Sequence, residues 1–482
     1  MGCLFQESVS QTPLYFRRTL FFVAREIICA QISCWVSLLI ALCNNNKKKD
    51  ILSRTETINC YNSIYLTLFP VALSFTLRSV MSQSSAVTAS PTQLSWLLII
   101  ILGAIAALTP LAIDMYLPAM PAIASDLGAP NSAVKSTLVA YTAGFAIGQL
   151  FHGPISDSYG RKPVMLGGVI LFFICAVVSA LAEDINVLML ARSTQGFAGA
   201  AAAVIIQALV RDMFEREEFA RTMSFITLVM TIAPLAAPMI GGYLLTWFDW
   251  RAIFWVLAGW ACFVMVCIVV KIPETLPKNH RPPLRIGASL RNYARMLKTP
   301  FAVGMIFCSG FSFAGMFSFL TAGSFVYIDY YGVSAKAFGY LFGLNIVCLI
   351  IMTFLNGRLV RKMGSHWMLR FGLAIQLVAG IAIAVCQWLD LGLWGTVIPV
   401  MTYVGVISTI GSNSMACLLS CYPQMAGTAS SLAGTMRFGI GSLVGAGVAV
   451  VSDGTPWGMI GAIAICAILS AAFYWLLARK EP

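Results

Sequence analysis

From Leu94 to the C-terminus the chain repeats one unit: an apolar stretch of about 20 residues followed by a polar break. About 20 helical residues are what a ~30 Å hydrocarbon core requires. The stretches fall at 95–117, 134–154, 163–182, 185–207, 222–245 and 251–272, then at 301–325, 337–356, 367–388, 393–416, 428–451 and 456–477. Six precede and six follow one longer polar interval. Charged residues make up 10% of the chain and hydrophobic ones 59%, against about 25% charged in a soluble domain. No core in water buries so much apolar side chain, so the solvent for much of the chain is lipid. The expectation is an all-α polytopic membrane protein with twelve transmembrane helices in two six-helix bundles. Its divisions are an N-terminal extension over 1–93, a first bundle over 94–272, a linker over 273–300 and a second bundle over 301–482.

The formal charge of +12 is no nucleic-acid signal here, because the bases sort by loop. Even-numbered loops, the central interval and the C-terminus hold eighteen, among them Arg161, Lys162, Arg211, Arg358, Arg361 and Arg479; the odd-numbered loops hold Lys135, Arg251 and Lys336. Lys and Arg accumulate on the cytoplasmic side, which places the linker and the C-terminus inside the cell.

Residues 1–80 fit this plan poorly. Two apolar stretches, roughly 19–43 and 57–77, are joined by CNNNKKKD, and the first is broken by Arg25 and Glu26. Met81 followed by SQSSAVTASPTQLSW reads as a short polar start ahead of the first span. The expectation is a native chain that begins at Met81.

Between the second and third spans stands GPISDSYGRKPVML, Gly153 to Leu166. Gly153, Asp157, Gly160, Arg161 and Lys162 compress one acid, two bases and two glycines into ten residues. Glycine permits tight turns and close helix approach, and an aspartate can accept from a helix N-terminus or pair with a base. Six spans later NGRLVRKMG repeats the frame, with Gly357, Arg361 and Gly364 at the spacing of Gly153, Asp157 and Gly160. Two halves built as parallel repeats explain the echo. The charges suit a latch between helix bundles that meet in one state and part in another.

The chain resembles the major facilitator superfamily, and within it the twelve-span drug:proton antiporters of the Bcr/CflA, bicyclomycin-resistance type. GPISDSYGRK is similar to that superfamily's loop signature. LMLARSTQGFAGAA, with Arg192, Gln195 and Gly196, resembles its fourth-span signature. APLAAPMIGG resembles the fifth-span antiporter motif through Pro238, Gly241 and Gly242, with Pro234 nearby; Ala233 and Ala237 stand where glycines are usual. LAIDMYLPAMPAIA, FSFAGMFSFLTAGSFVYI and AGTASSLAGTMRFGIGSLVG carry the subgroup likeness. The resemblance runs from about Met81 to the end. It implies the major facilitator fold, multidrug efflux by proton antiport across the bacterial inner membrane with bicyclomycin, sulfonamide or chloramphenicol-type substrates, and a monomer that works by alternating access. The alternative is a proton-coupled exporter of a native metabolite such as an amino acid or small peptide.

Three ionisable residues remain within spans: Asp114, Arg192 and Arg437. A charge at mid-bilayer costs a few kcal/mol on insertion scales, about 3, so such residues usually face a cavity. Removal from water favours the neutral carboxyl, and Asp114 could take a proton outside and release it inside; the plainer reading is a helix-end acid facing water. Arg192 stays charged and would repel that proton when close, the coupling role the resemblance implies, or would bind carbonyls structurally. Arg437 would contact substrate or snorkel to the cytoplasmic end. Tyr116, Tyr141, Phe311, Phe313, Met316 and Phe317 are candidates for an adaptable drug pocket, with Asn345 and Asn413 as its hydrogen-bond partners. In the fifth span, prolines bend the helix and small residues let it pack against the eighth.

No GxxxxGK[ST] phosphate loop is present, which argues against an ATP-driven pump, and no catalytic or zinc motif suggests an enzyme. The fourteen cysteines show no CxxC and no metal-like spacing with the three histidines; reduced thiols are expected, with no cofactor and no metal. The partners expected are a small-molecule drug, protons and the lipid bilayer.

Overall fold

The computed structural model describes residues 93–479, except 215, 277–280, 282–285, 423–425 and 452–453. The extension with its expected start at Met81 lies outside the described residues.

In the first half the helices are α1 (Gln93–Ala106), α2 (Leu108–Asp114), α3 (Met120–Asp126), α4 (Asn131–Tyr159), α5 (Arg161–Ala180), α6 (Ile185–Met213), α7 (Arg216–Trp247) and α8 (Arg251–Lys271). A short helix follows, α9 (Ile286–Met296). The second half holds α10 (Pro300–Ser324), α11 (Ala335–Met363), α12 (Ser365–Trp388), α13 (Gly392–Gly405), α14 (Ile407–Cys421), α15 (Ala426–Val450) and α16 (Trp457–Phe473). Helices α1–α3 form one crossing and α13–α14 another, giving twelve crossings among the described residues.

Eleven of these crossings are long and apolar enough to span a membrane on composition alone. The other, α4, spends Asn131, Ser132, Lys135, Thr137, Gln149 and His152 on one helix. It tolerates them because it packs against α6 of its own half and α15 of the other rather than against lipid.

Three local differences from the expected spans have physical reasons. The first crossing extends to Asp126 and is broken, because Pro110, Pro118 and Pro121 lack the N–H that a continuous helix uses. The tenth is divided at Val406, after Gly405. The interval expected as plain linker contains α9, strongly amphipathic in sequence, which buries Tyr293 and Met296 in the cluster formed with Leu432, Ala433 and Leu150. Burial raises the pKa of the Tyr293 phenol, partly offset by a hydrogen bond with Ser431 of α15.

The repeat is visible in the backbone. α4 and α11 each have 29 residues and each ends on a glycine with positive φ, Gly160 (φ 108°, ψ 154°) and Gly364 (φ 82°, ψ 155°). Only a residue without Cβ adopts that conformation cheaply, and both turns pass directly into the next helix.

The halves meet along two seams. On one, α4 lies against α15, with Phe145 and Phe438 rings 4.5 Å apart and Ser442 Oγ donating to Val139 O at 3.2 Å. On the other, α7 lies against α11: a Cβ at Gly339 would come within 3.1 Å of Pro238 O, and one at Gly242 within 2.9 Å of Ala335 O. Beyond them the Tyr243 and Tyr340 hydroxyls share a 2.7 Å hydrogen bond.

Candidate functional site

Arg192 is the largest fully buried side chain among the described residues, at 0% exposure. α2 stops at Asp114, and the last carbonyls of a helix lack internal partners. Arg192 Nη2 donates to one of them, Ala112 O, at 2.9 Å, while Nη1 donates to Gln195 Oε1 at 2.8 Å. The guanidinium carbon stands 4.7 Å from the Tyr116 ring centre, 4.4 Å from Tyr141 and 5.8 Å from Phe254. Aromatic faces stabilise a desolvated cation. The Tyr116 hydroxyl bonds Thr137 Oγ1 at 2.6 Å, tying α4 to the broken first crossing.

Asp114 is buried, at 6% exposure, two residues beyond the carbonyl that Arg192 holds. It makes no ion pair with Arg192 among the described residues. The acid therefore ends the helix whose carbonyl the base holds, with no bond between the two among the described residues. Tyr116 and Tyr141, expected to line a drug pocket, are fully buried in this cluster. Their ring faces lie against the Arg192 guanidinium.

Close approach of α4 and α6 makes the cluster possible. A Cβ at Gly196 would collide with the Tyr141 carbonyl, and one at Gly144 with the Ser193 carbonyl.

In the second half Asn413 Nδ2 donates to Asn356 Oδ1 and to Thr409 O, both at 2.7 Å, and Asn356 Nδ2 reaches Ser412 Oγ at 3.3 Å. Asn345 is 2% exposed, and neither its amide nitrogen nor its oxygen has a partner. Arg437 lies partly buried on α15 beside Gly411, its guanidinium 5.8 Å from the Phe313 ring centre. Phe313 continues to Phe438 at 5.0 Å and Phe317 at 6.0 Å. Phe311 turns the other way, stacking on Phe473 and meeting Phe307 at a tilt, in the packing between α10 and α16.

The charged loop after α4 centres on Arg161, 6% exposed. It pairs with Asp157 and, through Nε, with Asp212 at 3.3 Å, and its Nη1 donates to Ser156 Oγ at 2.8 Å. Lys162 Nζ donates to Val269 O at 3.0 Å. Asp157 was a candidate acceptor for a helix N-terminus; Glu274 holds that place instead, its Oε1 accepting from Arg161 N at 3.0 Å. Arg281 Nη1 donates to Tyr159 O at 2.7 Å. All these partners belong to the first half or to the chain just after α8. Gly153 lies near Val204 of α6, and Gly357 faces open space. Arg361, the base standing where the first loop has its acid, is exposed at the end of α11.

Pro234 and Pro238 lie inside α7. A Cβ at Gly241 would collide with the Met115 carbonyl, at the break in the first crossing. Together with Gly242 on Ala335, the motif packs backbone to backbone on both sides of α7.

Comparison with known proteins gives this geometry a family. The model of the Major Facilitator Superfamily matches residues 102–446. A "Bicyclomycin resistance protein homolog" of Haemophilus influenzae is 42% identical over 387 residues, covering 80% of this chain and 97% of the relative. "Multidrug resistance protein D" of Escherichia coli is 27% identical over 382 residues, covering 79% and 95%. Among solved structures, that of a D-xylose-proton symporter superposes with a TM-score of 0.65 at 15% identity, covering 79% of this chain and 97% of the other; at that identity the likeness is one of fold. The matched family model covers well over half of the chain, and this multi-pass membrane protein belongs to the major facilitator superfamily.

Proposed function

We propose that this protein exports small amphipathic drugs of the bicyclomycin class across the bacterial inner membrane in exchange for protons. The relatives named for bicyclomycin and multidrug resistance support drug efflux. The observation that carries proton coupling is the buried Arg192 bonded to Ala112 O, two residues from the buried, unpaired Asp114.

In this reading Asp114 holds a proton on its carboxyl when the site opens outward. Arg192 rides on α6 and grips the end of α2, so a shift of one helix against the other changes its distance to the acid. Approach of the guanidinium favours the carboxylate and expels the proton. Tyr116 and Tyr141 hold the guanidinium in place. Asn345, Asn413 and Arg437 face substrate from the second half. The Arg161 cluster clasps α4, α5 and α6 on the cytoplasmic side, and the Pro234–Gly242 motif lets α7 turn against α11 without opening a leak.

The test is proton movement in inverted membrane vesicles on adding bicyclomycin, with Asp114→Asn alongside. Drug-driven proton release that vanishes in the variant is expected. Release that survives it moves the proton site elsewhere, and no release from the intact protein defeats the reading.

A further inference from the structure

The two arginines inside the membrane are in opposite conditions. Arg192 has its Nη1 and Nη2 donors bonded to Gln195 and Ala112 and three aromatic rings within 6 Å. Arg437 has no acid, carbonyl or hydroxyl partner among the described residues; the Phe313 ring is its one polarisable neighbour. It lies within the span Ala429–Val450, eight residues in, or about 12 Å from its Ala429 end. Gly411 leaves room for it: a Cβ there would stand 3.0 Å from Arg437 Nη2.

Its surroundings have two further features. One turn earlier on α15, the Gln149 amide of α4 rests on Gly434, where a Cβ would come within 2.7 Å of Oε1. That oxygen is buried and receives no hydrogen bond. The rings of Phe313, Phe438 and Phe145 run from the guanidinium to the seam between the halves. Meanwhile the second half contains only four acids. Asp329 stands in the last turn of the span Pro300–Tyr330 and Asp390 in the turn after α12, while Asp453 and Glu481 fall outside the described residues. Neither of the two described acids stands at the level of Arg437.

We infer that Arg437, Gln149 and the Phe313–Phe438 faces form a subsite for the oxygen-rich end of an uncharged or anionic molecule, and that this subsite turns organic cations away. The inference rests on the efflux reading and names the substrate class for it. A guanidinium presents paired N–H donors in a fixed fork, matched to vicinal carbonyl, hydroxyl or carboxylate oxygens. The adjacent rings accept a flat or apolar body. A cation at the same place meets a like charge with no acid to offset it.

The experiment is equilibrium binding to the purified full-length protein in lipid nanodiscs, with bicyclomycin, an anionic sulfonamide and tetraphenylphosphonium as probes. The intact protein is expected to bind the first two at least tenfold more tightly than the cation. Arg437→Gln should abolish that preference, and Gly411→Ala, which displaces the guanidinium without removing its charge, should weaken bicyclomycin several-fold while still rejecting the cation. Equal binding of cation and bicyclomycin by the intact protein, or an unchanged preference in Arg437→Gln that elutes as folded protein, overturns the inference. Proton release is read separately in vesicles: its absence with preserved selective binding defeats antiport and leaves the subsite standing.

Discussion

Glu274 accepts the backbone N–H of Arg161 at 3.0 Å, across 113 residues of chain. α5 opens on Gly160 with no side-chain cap from its own loop, so the carboxylate that satisfies its first turn comes from beyond the sixth crossing. Replacing Glu274 by Ala should cost about 1 kcal/mol, the usual worth of an N-terminal cap. Thermal unfolding of the detergent-purified protein measures this, and Glu274→Gln should retain part of the loss. Equal melting of Glu274→Ala and the intact protein would show the cap to be idle.

Asp157 and Arg161 should separate transport from stability. Asp157 is 49% exposed and its pair with Arg161 is solvated, so Asp157→Asn should cost no more than about 0.5 kcal/mol. Under the latch proposal it nevertheless lowers efflux at equal membrane expression. Arg161→Ala should cost about 2 kcal/mol, less than for a wholly buried pair, because Asp212 and Asp157 keep some water. Unchanged drug efflux by Asp157→Asn would sink the latch.

Gly196→Ala should be among the most damaging small changes in the first half. The added methyl collides with the Tyr141 carbonyl, a backbone atom that moves only if α4 moves. Overpacking of this kind costs about 1–3 kcal/mol. Gly167→Ala, where a Cβ meets nothing within 4 Å, is the control. Size-exclusion profiles and melting temperatures of the two should differ clearly; matching profiles would contradict the packing described for α4 and α6.

Arg192→Lys should not rescue. An ammonium cannot hold Gln195 and Ala112 O from one planar fork, nor lie between the Tyr116 and Tyr141 faces in the same way. Loss of a charge-assisted hydrogen bond of about 2 kcal/mol corresponds to roughly a thirtyfold fall in the rate or affinity that depends on it. Vesicle proton release with bicyclomycin is the readout, and a Lys variant of normal activity would show that charge alone suffices.

Much of the architecture was legible because lipid leaves few choices. Segment length and apolarity place the crossings, and the glycine frame repeated at Gly153–Gly160 and Gly357–Gly364 announces matching turns, since positive φ demands glycine. The cost of burying charge marked Arg192 as a residue that needs partners, but the sequence left open whether they are a carboxyl or backbone carbonyls; the fold supplies Gln195 and Ala112 O. Other features were hidden because they depend on tertiary partners. Glu274 is one acid in a polar interval until the fold brings it to Gly160. Phe311 and Phe313 are two residues apart on one helix and so cannot share a face; periodicity alone could not say which turned to Phe473 and which to Arg437. α9 was masked by the prolines and bases flanking it, although Tyr293 and Met296, three apart, mark its buried side.

The anchoring of Arg281 on Tyr159 and of α9 on α15 sets the length of a leash. Between Arg281 and Ile286 lie five peptide steps, which reach at most about 18 Å when fully drawn out. One end is fastened to the first bundle by a 2.7 Å hydrogen bond; the other is held by the burial of Tyr293 and Met296 against Leu432 and Ala433 of the second bundle, with Leu150 of α4 packed alongside. While both fastenings hold, the gap that can open between those two points is bounded by chain geometry, whatever the ligand; any wider excursion must first peel α9 from α15 or pull Arg281 away from the end of α4.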